Sequence, residues 1–218
     1  MQFFIDSAEI SDIEEALTLN LCDGVTTNPS LIAKSGRQLK QVIQEIAGLV
    51  SGPVLSEVVS TTTEGIVSEG REMAEWAENV IIKIPVTLEG LKAIRTLEAE
   101  GIPTGTTLVF SPSQALLAAK AGTHYVIPFV GRLDDISSMG IGLVAQVQEM
   151  LSNYVFEAEV LAASIRNPGH VVECAMAGVP VVTAPFKVYK QMVKHPLTDI
   201  GIQRFLADWE SAKKELLG

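Results

Sequence analysis

The chain is organised by one repeated alternation, in which a short apolar stretch is followed by a longer stretch with helical periodicity. The apolar stretches predict strands, and amphipathic stretches such as Leu88–Glu100 and Pro112–Ala121 predict the helices between them. Helix ends are predicted at Ala121-Gly122 and Ala177-Gly178, because glycine after the last helical residue accommodates a left-handed cap. The predicted strands are Gln2–Asp6, Gly24–Thr26, Val54–Val58, Val80–Ile84, Thr104–Leu108, Tyr125–Pro128, Glu159–Ala163 and Val179–Thr183.

About eight β/α units in 218 residues predict a single (β/α)8 TIM barrel domain over residues 1–218. A doubly wound open sheet is the alternative, but its first strand is usually followed by a glycine-rich phosphate loop, and Asp6-Ser7-Ala8-Glu9 is not one. The eight units are complete before the tail, so residues 198–217 are expected to form an extra C-terminal helical arm. That helix either folds onto its own barrel or packs on a neighbouring subunit.

Composition excludes several classes of partner. The formal net charge of -10 argues against a general nucleic-acid surface, and no apolar run reaches membrane-spanning length. Cys22 and Cys174 lie far apart without a CxxC motif, and no apolar leader precedes the first strand, so a reduced, cytoplasmic compartment is expected. The three histidines are isolated, so no metal site is expected.

One lysine lies inside a predicted buried strand. Lys83 interrupts the apolar, β-branched run Val80–Ile84. Burial disfavours an ammonium ion, and a neutral amine is a nucleophile that can form a Schiff base with a carbonyl. The structural alternative is a lysine at a strand end whose amine reaches solvent.

Polar residues cluster where predicted strands end, which is the face of a barrel that carries its chemistry. Asp6 ends strand one, Glu57 lies among valines and leucine in strand three, and Thr107 lies in strand five. A carboxylate in such a run is costly unless it is paired or solvated, which favours a functional role for Glu57. Asp6 alone is equally well explained as a helix N-cap, and Thr107 alone as a good strand former. The pair Asn28-Pro29 is also compatible with a plain turn and helix start.

Two arginines follow successive late strands. Arg132 comes after strand six and Arg166 after strand seven, next to Ser164. A lone arginine would be a solvated surface charge, but two on one barrel face suit a phosphate, because guanidinium groups match its oxygens. Together with the lysine and the carboxylates, they predict covalent carbonyl chemistry on a phosphorylated sugar that needs neither a metal nor an organic cofactor.

Four motifs, in order and covering nearly the whole chain, resemble the transaldolase superfamily, specifically its small single-domain subfamily, which includes the fructose-6-phosphate aldolases. These motifs are Gly24-Val25-Thr26-Thr27-Asn28-Pro29-Ser30-Leu31, Ile82-Lys83-Ile84-Pro85, Pro128-Phe129-Val130-Gly131-Arg132-Leu133-Asp134-Asp135 and Ala162-Ala163-Ser164-Ile165-Arg166-Asn167.

The resemblance implies catalytic roles for four residues. Lys83 would form the Schiff base with a ketose phosphate, and Asp6 would handle the proton of the hydroxyl at the breaking carbon bond. Glu57 and Thr107 would hold a water that relays protons. The resemblance also implies a ring-based homo-oligomer, commonly a decamer, with the tail helix on a neighbouring subunit.

The resemblance further implies the substrate contacts. Thr26, Asn28 and Ser164 would contact the dihydroxyacetone unit or nearby oxygens, and Arg132 and Arg166 would bind the sugar phosphate.

Glu57 and Phe129 separate two activities within this resemblance. The family's aldolases, which release free dihydroxyacetone, carry Gln and Tyr there, whereas its transaldolases carry Glu and Phe. The resemblance therefore implies a transaldolase that moves a dihydroxyacetone unit between sugar phosphates in the pentose phosphate pathway, with a fructose-6-phosphate aldolase as the alternative. Gly105 and Ile127 depart from the usual Asn and Ser of transaldolases, which keeps open a phosphosugar-binding barrel with weakened catalysis.

Overall fold

The computed structural model describes residues 1–154 and 156–216 and contains a closed barrel of eight parallel strands. The strands neighbour one another in chain order, and β1 pairs with β8 to close the barrel. They are β1 Gln2–Asp6, β2 Gly24–Thr26, β3 Val54–Glu57, β4 Val80–Pro85, β5 Thr104–Val109, β6 Tyr125–Pro128, β7 Glu159–Ala162 and β8 Val181–Ala184. The predicted fold class, a (β/α)8 barrel with an extra C-terminal helix, is confirmed.

The described residues form eleven helices, of which the first ten surround the barrel and the last extends the chain beyond it. They are α1 Ile10–Thr18, α2 Pro29–Ser35, α3 Leu39–Leu49, α4 Thr63–Ala74, α5 Leu88–Ala99, α6 Pro112–Ala121, α7 Gly131–Asp134, α8 Gly140–Asn153, α9 Pro168–Met176, α10 Phe186–Met192 and α11 Pro196–Leu216.

Several helix boundaries follow from local sequence. The side chain of Asn28 accepts a hydrogen bond from the backbone N–H of Leu31, and Pro29 occupies the first turn of α2, where its missing N–H costs nothing. The predicted stops at Gly122 and Gly178 are confirmed, since both glycines have left-handed φ angles of 95° and 74°.

One predicted strand begins two residues too early. The N–H of Val179 donates to the carbonyl of Cys174 at the end of α9, and Pro180 has no N–H to donate. The β8 ladder therefore begins at Val181 rather than Val179.

The barrel has two apolar regions. The larger one lies between the strands and the helices, while a smaller cluster fills the barrel interior. The interior cluster consists of Phe4, Leu55, Ile81, Tyr125, Ile127, Leu161, Ala163 and Val181, with Phe129 packed against it. Residues two positions apart on a strand face the same side. Asp6, Glu57 and Lys83 each lie two residues after a member of this cluster, so they also face the barrel interior, nearer its carboxyl end.

The C-terminal helix α11 keeps its large apolar side chains exposed. Phe205 is 75% exposed and Trp209 is 52% exposed, and Leu197, Ile202 and Leu206 are exposed as well. The helix begins at Pro196, two residues before the predicted arm, and the predicted last residue, Leu217, lies outside the described residues. Among the described residues, no helix is both long enough and apolar enough to span a membrane.

Candidate active site

A cavity of about 330 Å³ opens at the carboxyl ends of the strands. All but one of the candidate site residues, Arg166, line it. The lining residues, which define the central cavity, are Asp6, Thr26, Asn28, Pro29, Ser30, Glu57, Lys83, Thr107, Leu108, Ile127, Phe129, Arg132, Ala163, Ser164 and Thr183.

Lys83 is the most buried charge of the central cavity. It is 5% exposed, and its Nζ lies 3.0 Å from Oε2 of Glu57, which faces it in the β3–β4 register. The ammonium also donates to the backbone carbonyl of Thr27. A buried charge requires a partner and satisfied hydrogen bonds, and here Glu57 at the end of β3 and Thr27 just after β2 provide them. Lys83 therefore does not reach solvent as a strand-end lysine would.

Asp6 lies on the same side of the cavity, and it does not cap α1. The N-cap of that helix is Glu9, and the carboxylate of Asp6 instead accepts a hydrogen bond from the Thr26 hydroxyl, 3.0 Å from Oδ1. Burial raises the pKa of the Asp6 carboxyl, against the lowering effects of Lys83 and the Thr26 hydrogen bond, and Glu57 raises it slightly further. Asp6 consequently holds a proton more readily than an exposed aspartate.

Thr107 presents a buried hydroxyl that has no hydrogen-bond partner among the described residues. The register between β5 and β6 shifts between Thr106 and Val109, and Leu108 within that shift has a left-handed φ of 56°. Such a conformation is rare for a bulky residue and is typical of functional sites. Because buried polar groups are normally satisfied, the Thr107 hydroxyl is suited to a substrate oxygen or a water molecule.

The two predicted anion-binding arginines have different surroundings. Arg132 lines the central cavity, with its Cζ 5.1 Å from the ring centroid of Phe129. The guanidinium of Arg166 instead forms a two-pronged ion pair with Asp135, in which Nη2 lies 2.6 Å from Oδ2. The hydrogen bonds from Arg166 lower the pKa of the Asp135 carboxyl. Arg166 thus lies beside the cavity, and an anion must compete with Asp135 for it.

Ser164 and Ile127 line the side of the cavity formed by the late strands. Ser164 has a left-handed φ of 58°, and its carbonyl accepts from the N–H of Gly131 at 2.9 Å. Ile127 packs over Gly105, where an added β-carbon would lie only 3.1 Å from the Ile127 Cδ1 atom. Gly105 and Ile127 are therefore complementary in size, and the Ile127 side chain makes this part of the cavity apolar.

Thr183 lines the central cavity, but it was not identified as a site residue from the sequence. Thr183 ends the predicted eighth strand, and its hydroxyl lies 2.6 Å from that of Thr26. The sequence did contain a signal for Thr183, because it is a polar residue at the end of a predicted strand, the same pattern that singled out Asp6. The described residues contain no group of three or more His, Cys, Asp or Glu arranged to hold a metal ion.

The fold and the cavity define a class: a (β/α)8 enzyme with a buried lysine–carboxylate pair at the carboxyl ends of its strands. The family model described as transaldolase/fructose-6-phosphate aldolase matches residues 3–216, and the chain belongs to this family. It is 56% identical over 215 residues to a probable transaldolase of Aquifex aeolicus, with 99% of each chain covered. It is 55% identical to a probable transaldolase of Geotalea daltonii, with 98% of this chain and all of the relative covered. A probable transaldolase of Hydrogenobaculum is 56% identical, with 96% of this chain and 97% of the relative covered.

Proposed function

We propose that the chain is a transaldolase, which moves a dihydroxyacetone unit from a ketose phosphate to an aldose phosphate through a Schiff base on Lys83. The observation that carries this proposal is the buried ammonium of Lys83, 3.0 Å from Glu57 and facing a cavity large enough for a sugar phosphate. The family and the names of its relatives support the same reaction class.

The first step joins the substrate to the lysine. Glu57 accepts a proton from the Lys83 ammonium, and the free amine attacks the ketose carbonyl carbon to give a carbinolamine. Loss of water then forms the iminium ion. Glu57 and Thr107 are placed to pass protons through a water molecule, since both line the cavity and the Thr107 hydroxyl has no other partner among the described residues.

The second step breaks a carbon–carbon bond. Asp6 takes the proton of the substrate hydroxyl adjacent to that bond, and the hydroxyl carbon becomes the aldehyde of the departing aldose phosphate. The electron pair of the broken bond moves into the iminium, which becomes an enamine on Lys83. An acceptor aldose phosphate then reverses these events, and hydrolysis releases the new ketose phosphate.

Polar groups at three strand ends hold the substrate in this proposal. Thr26, Asn28 and Ser164 contact the hydroxyls of the dihydroxyacetone unit, and Arg132 and Arg166 bind the phosphate. Arg132 lines the cavity directly, whereas Arg166 exchanges its ion pair with Asp135 for the phosphate.

Transfer is favoured over release of free dihydroxyacetone because the ring beside the cavity belongs to Phe129. A phenyl group has no proton to give to the enamine carbon, so the intermediate waits for an acceptor aldehyde. Fructose 6-phosphate cleavage that requires erythrose 4-phosphate supports the transaldolase, and cleavage that proceeds equally without an acceptor identifies an aldolase instead.

The covalent intermediate is tested by reduction. Incubation with fructose 6-phosphate and borohydride is expected to reduce the Lys83 iminium and so add the mass of a covalent sugar adduct to the intact chain, and Lys83→Met is expected to abolish the addition. Lys92→Met is the matched control, since Lys92 also forms an ion pair with a glutamate, Glu89, but is exposed. Substrate binding without any added mass would refute the Schiff base and identify a binding barrel that does not turn over.

We further propose that the arm formed by α11 packs on a neighbouring subunit in a ring-based homo-oligomer such as a decamer. The exposed Phe205 and Trp209 side chains support this, because exposed large apolar side chains on one helix face are typical of an interface. Deletion of residues 198–218 is expected to reduce the native mass. Phe205→Asp is expected to do the same, whereas Arg204→Glu, which points about 100° around the helix from Phe205, is not. An unchanged mass on deletion would contradict the proposal.

The cellular setting follows from this chemistry. We place the enzyme in the cytoplasm and in the pentose phosphate pathway, where sugar phosphates exchange three-carbon units. The free thiols of Cys22 and Cys174 support a reducing compartment.

A further inference from the structure

Three polar side chains form a continuous hydrogen-bonded chain across the end of β1. The Thr183 hydroxyl on β8 lies 2.6 Å from the Thr26 hydroxyl on β2, which lies 3.0 Å from Oδ1 of Asp6 on β1. Both threonines are 3% exposed. These contacts link the two strands that flank β1, and they join residues 157 positions apart.

The number of available hydrogens fixes the direction of this chain. An ionised carboxylate only accepts, and a threonine hydroxyl has a single hydrogen to donate. With Asp6 ionised, the hydrogen of Thr26 is committed to Asp6, so the contact between the two hydroxyls requires the hydrogen of Thr183. Thr183 makes no other side-chain hydrogen bond among the described residues, so its hydrogen is free for this purpose.

The direction reverses when Asp6 accepts a proton from the substrate. A protonated Asp6 can donate to Thr26, and Thr26 can then donate to Thr183, with the same heavy-atom positions. The chain is therefore satisfied in both protonation states of the carboxyl group. Linked hydrogen bonds also strengthen one another, so the outer hydroxyl affects the inner bond.

We propose that Thr183 is a positioning residue for proton transfer at Asp6: it directs the hydroxyl of Thr26, which in turn holds the Asp6 carboxylate in one orientation. This rests on the proposed function, in which Asp6 takes the substrate proton. Oδ2 of Asp6 receives no hydrogen bond from the described residues, so it is the oxygen that we expect to take the substrate proton.

Other charges around Asp6 do not replace this contact. Lys83 on β4 and Glu57 on β3 act on the carboxyl through their charges, and the buried phenol of Tyr189 on α10 is a further titratable group near it. Among the described residues, only Thr26 donates a hydrogen bond to the Asp6 carboxylate. The orientation of the carboxylate therefore depends on the Thr26 hydroxyl and on Thr183, which directs that hydroxyl.

The test compares Thr183→Val with Thr183→Ser in the full chain. Valine keeps the shape and removes the hydroxyl, so the acid limb of the kcat profile is expected to move up by about half a pH unit, because a carboxylate with a weaker hydrogen bond ionises less readily. At the optimum, kcat is expected to fall several-fold while KM for the donor changes little. Serine keeps the hydroxyl and is expected to restore the wild-type profile.

Thr106→Val is the matched control. Thr106 is also a fully buried strand threonine, but its hydroxyl has no partner among the described residues and it does not line the central cavity. Its pH profile is expected to match the wild type. If Thr183→Val does not fold, as judged by its melting transition, Thr183→Ala removes the same hydroxyl with less bulk and gives the same readout.

Failure of the inference is distinguishable from failure of the proposed function. Wild type that turns over and forms the borohydride-trapped adduct, together with a Thr183→Val profile identical to wild type, overturns the role of Thr183 alone. Folded Thr183→Ser that behaves like the valine variant also overturns it. Absence of the adduct in wild type overturns the proposed function instead.

Discussion

Gly105 and Ile127 share one space in the barrel interior, and replacing them singly and together measures how strongly they are coupled. A β-carbon on Gly105 would lie 3.1 Å from Cδ1 of Ile127 and 3.3 Å from Cδ2 of Leu55. Since carbon atoms pack best at about 3.5–4.0 Å, Gly105→Ala requires both neighbours to move by a few tenths of an ångström. Crowding of this kind costs about 1–3 kcal/mol.

Ile127→Val removes the Cδ1 atom that would meet the new methyl group. Alone it is expected to cost about 0.5–1.5 kcal/mol, because Ile127 is 2% exposed and a small cavity remains. In this background Gly105→Ala is expected to cost less, since only the Leu55 contact stays tight. The stabilising effect of removing glycine from the unfolded chain, about 0.4–1 kcal/mol, is the same in both backgrounds and cancels.

The assay is equilibrium unfolding in urea at one fixed chain concentration, since assembly makes apparent stability depend on concentration. The free energies of unfolding of Gly105→Ala, Ile127→Val and the double variant are expected to give a coupling energy of about 1 kcal/mol in favour of the double variant. Gly105→Ala combined with Ile43→Val, in the separate region between barrel and helices, is the control and should be additive. If the changes in unfolding free energy for Gly105→Ala and Ile127→Val add within about 0.3 kcal/mol, the two side chains do not compete for one space and the reasoning is refuted.

Three further changes test the charges of the site. Asp6→Asn is expected to stabilise the fold at neutral pH, because burial raises the pKa of this carboxyl and its ionised form is costly. The gain should disappear as the pH falls below the ordinary value of 3.8, and a gain in melting temperature that persisted in acid would contradict this. Glu57→Gln is expected to slow adduct formation on Lys83 by about 10²-fold, since an amide cannot take the proton of the ammonium, and quenched-reduction time courses measure this. Asp135→Asn is expected to tighten inhibition by inorganic phosphate a few-fold at low salt, by removing the competitor for Arg166, and equal inhibition constants would exclude Arg166 from the anion site.

Much of the fold follows from the sequence because its signals are local. Apolar runs with β-branched residues, amphipathic stretches and glycine stops predicted the order of strands and helices, and the barrel follows once eight such units occur in one chain. The errors lie at element ends such as Val179, where one backbone N–H finds its acceptor in the preceding helix.

The candidate site was accessible to the same reasoning only in part. Asp6, Glu57 and Lys83 are recognisable because charge in an apolar strand is costly, and strand direction brings them to one end of the barrel. Arg166 was placed with them by its position after β7, yet its guanidinium is engaged by Asp135, and a surface ion pair of this kind depends on loop conformation.

The sequence by itself determined which residues reach the carboxyl end of the barrel, because the two-residue period of a strand and the direction of the chain are local properties. Only the tertiary structure decided which of them touch. The Lys83–Glu57 pair depends on the register between two strands, and the contact of Thr183 with Thr26 exists only because β8 returns to close the barrel beside β1. Hydrogen bonds require heavy atoms about 3 Å apart, and closure of the whole barrel is what brings residues so distant in the chain within that range.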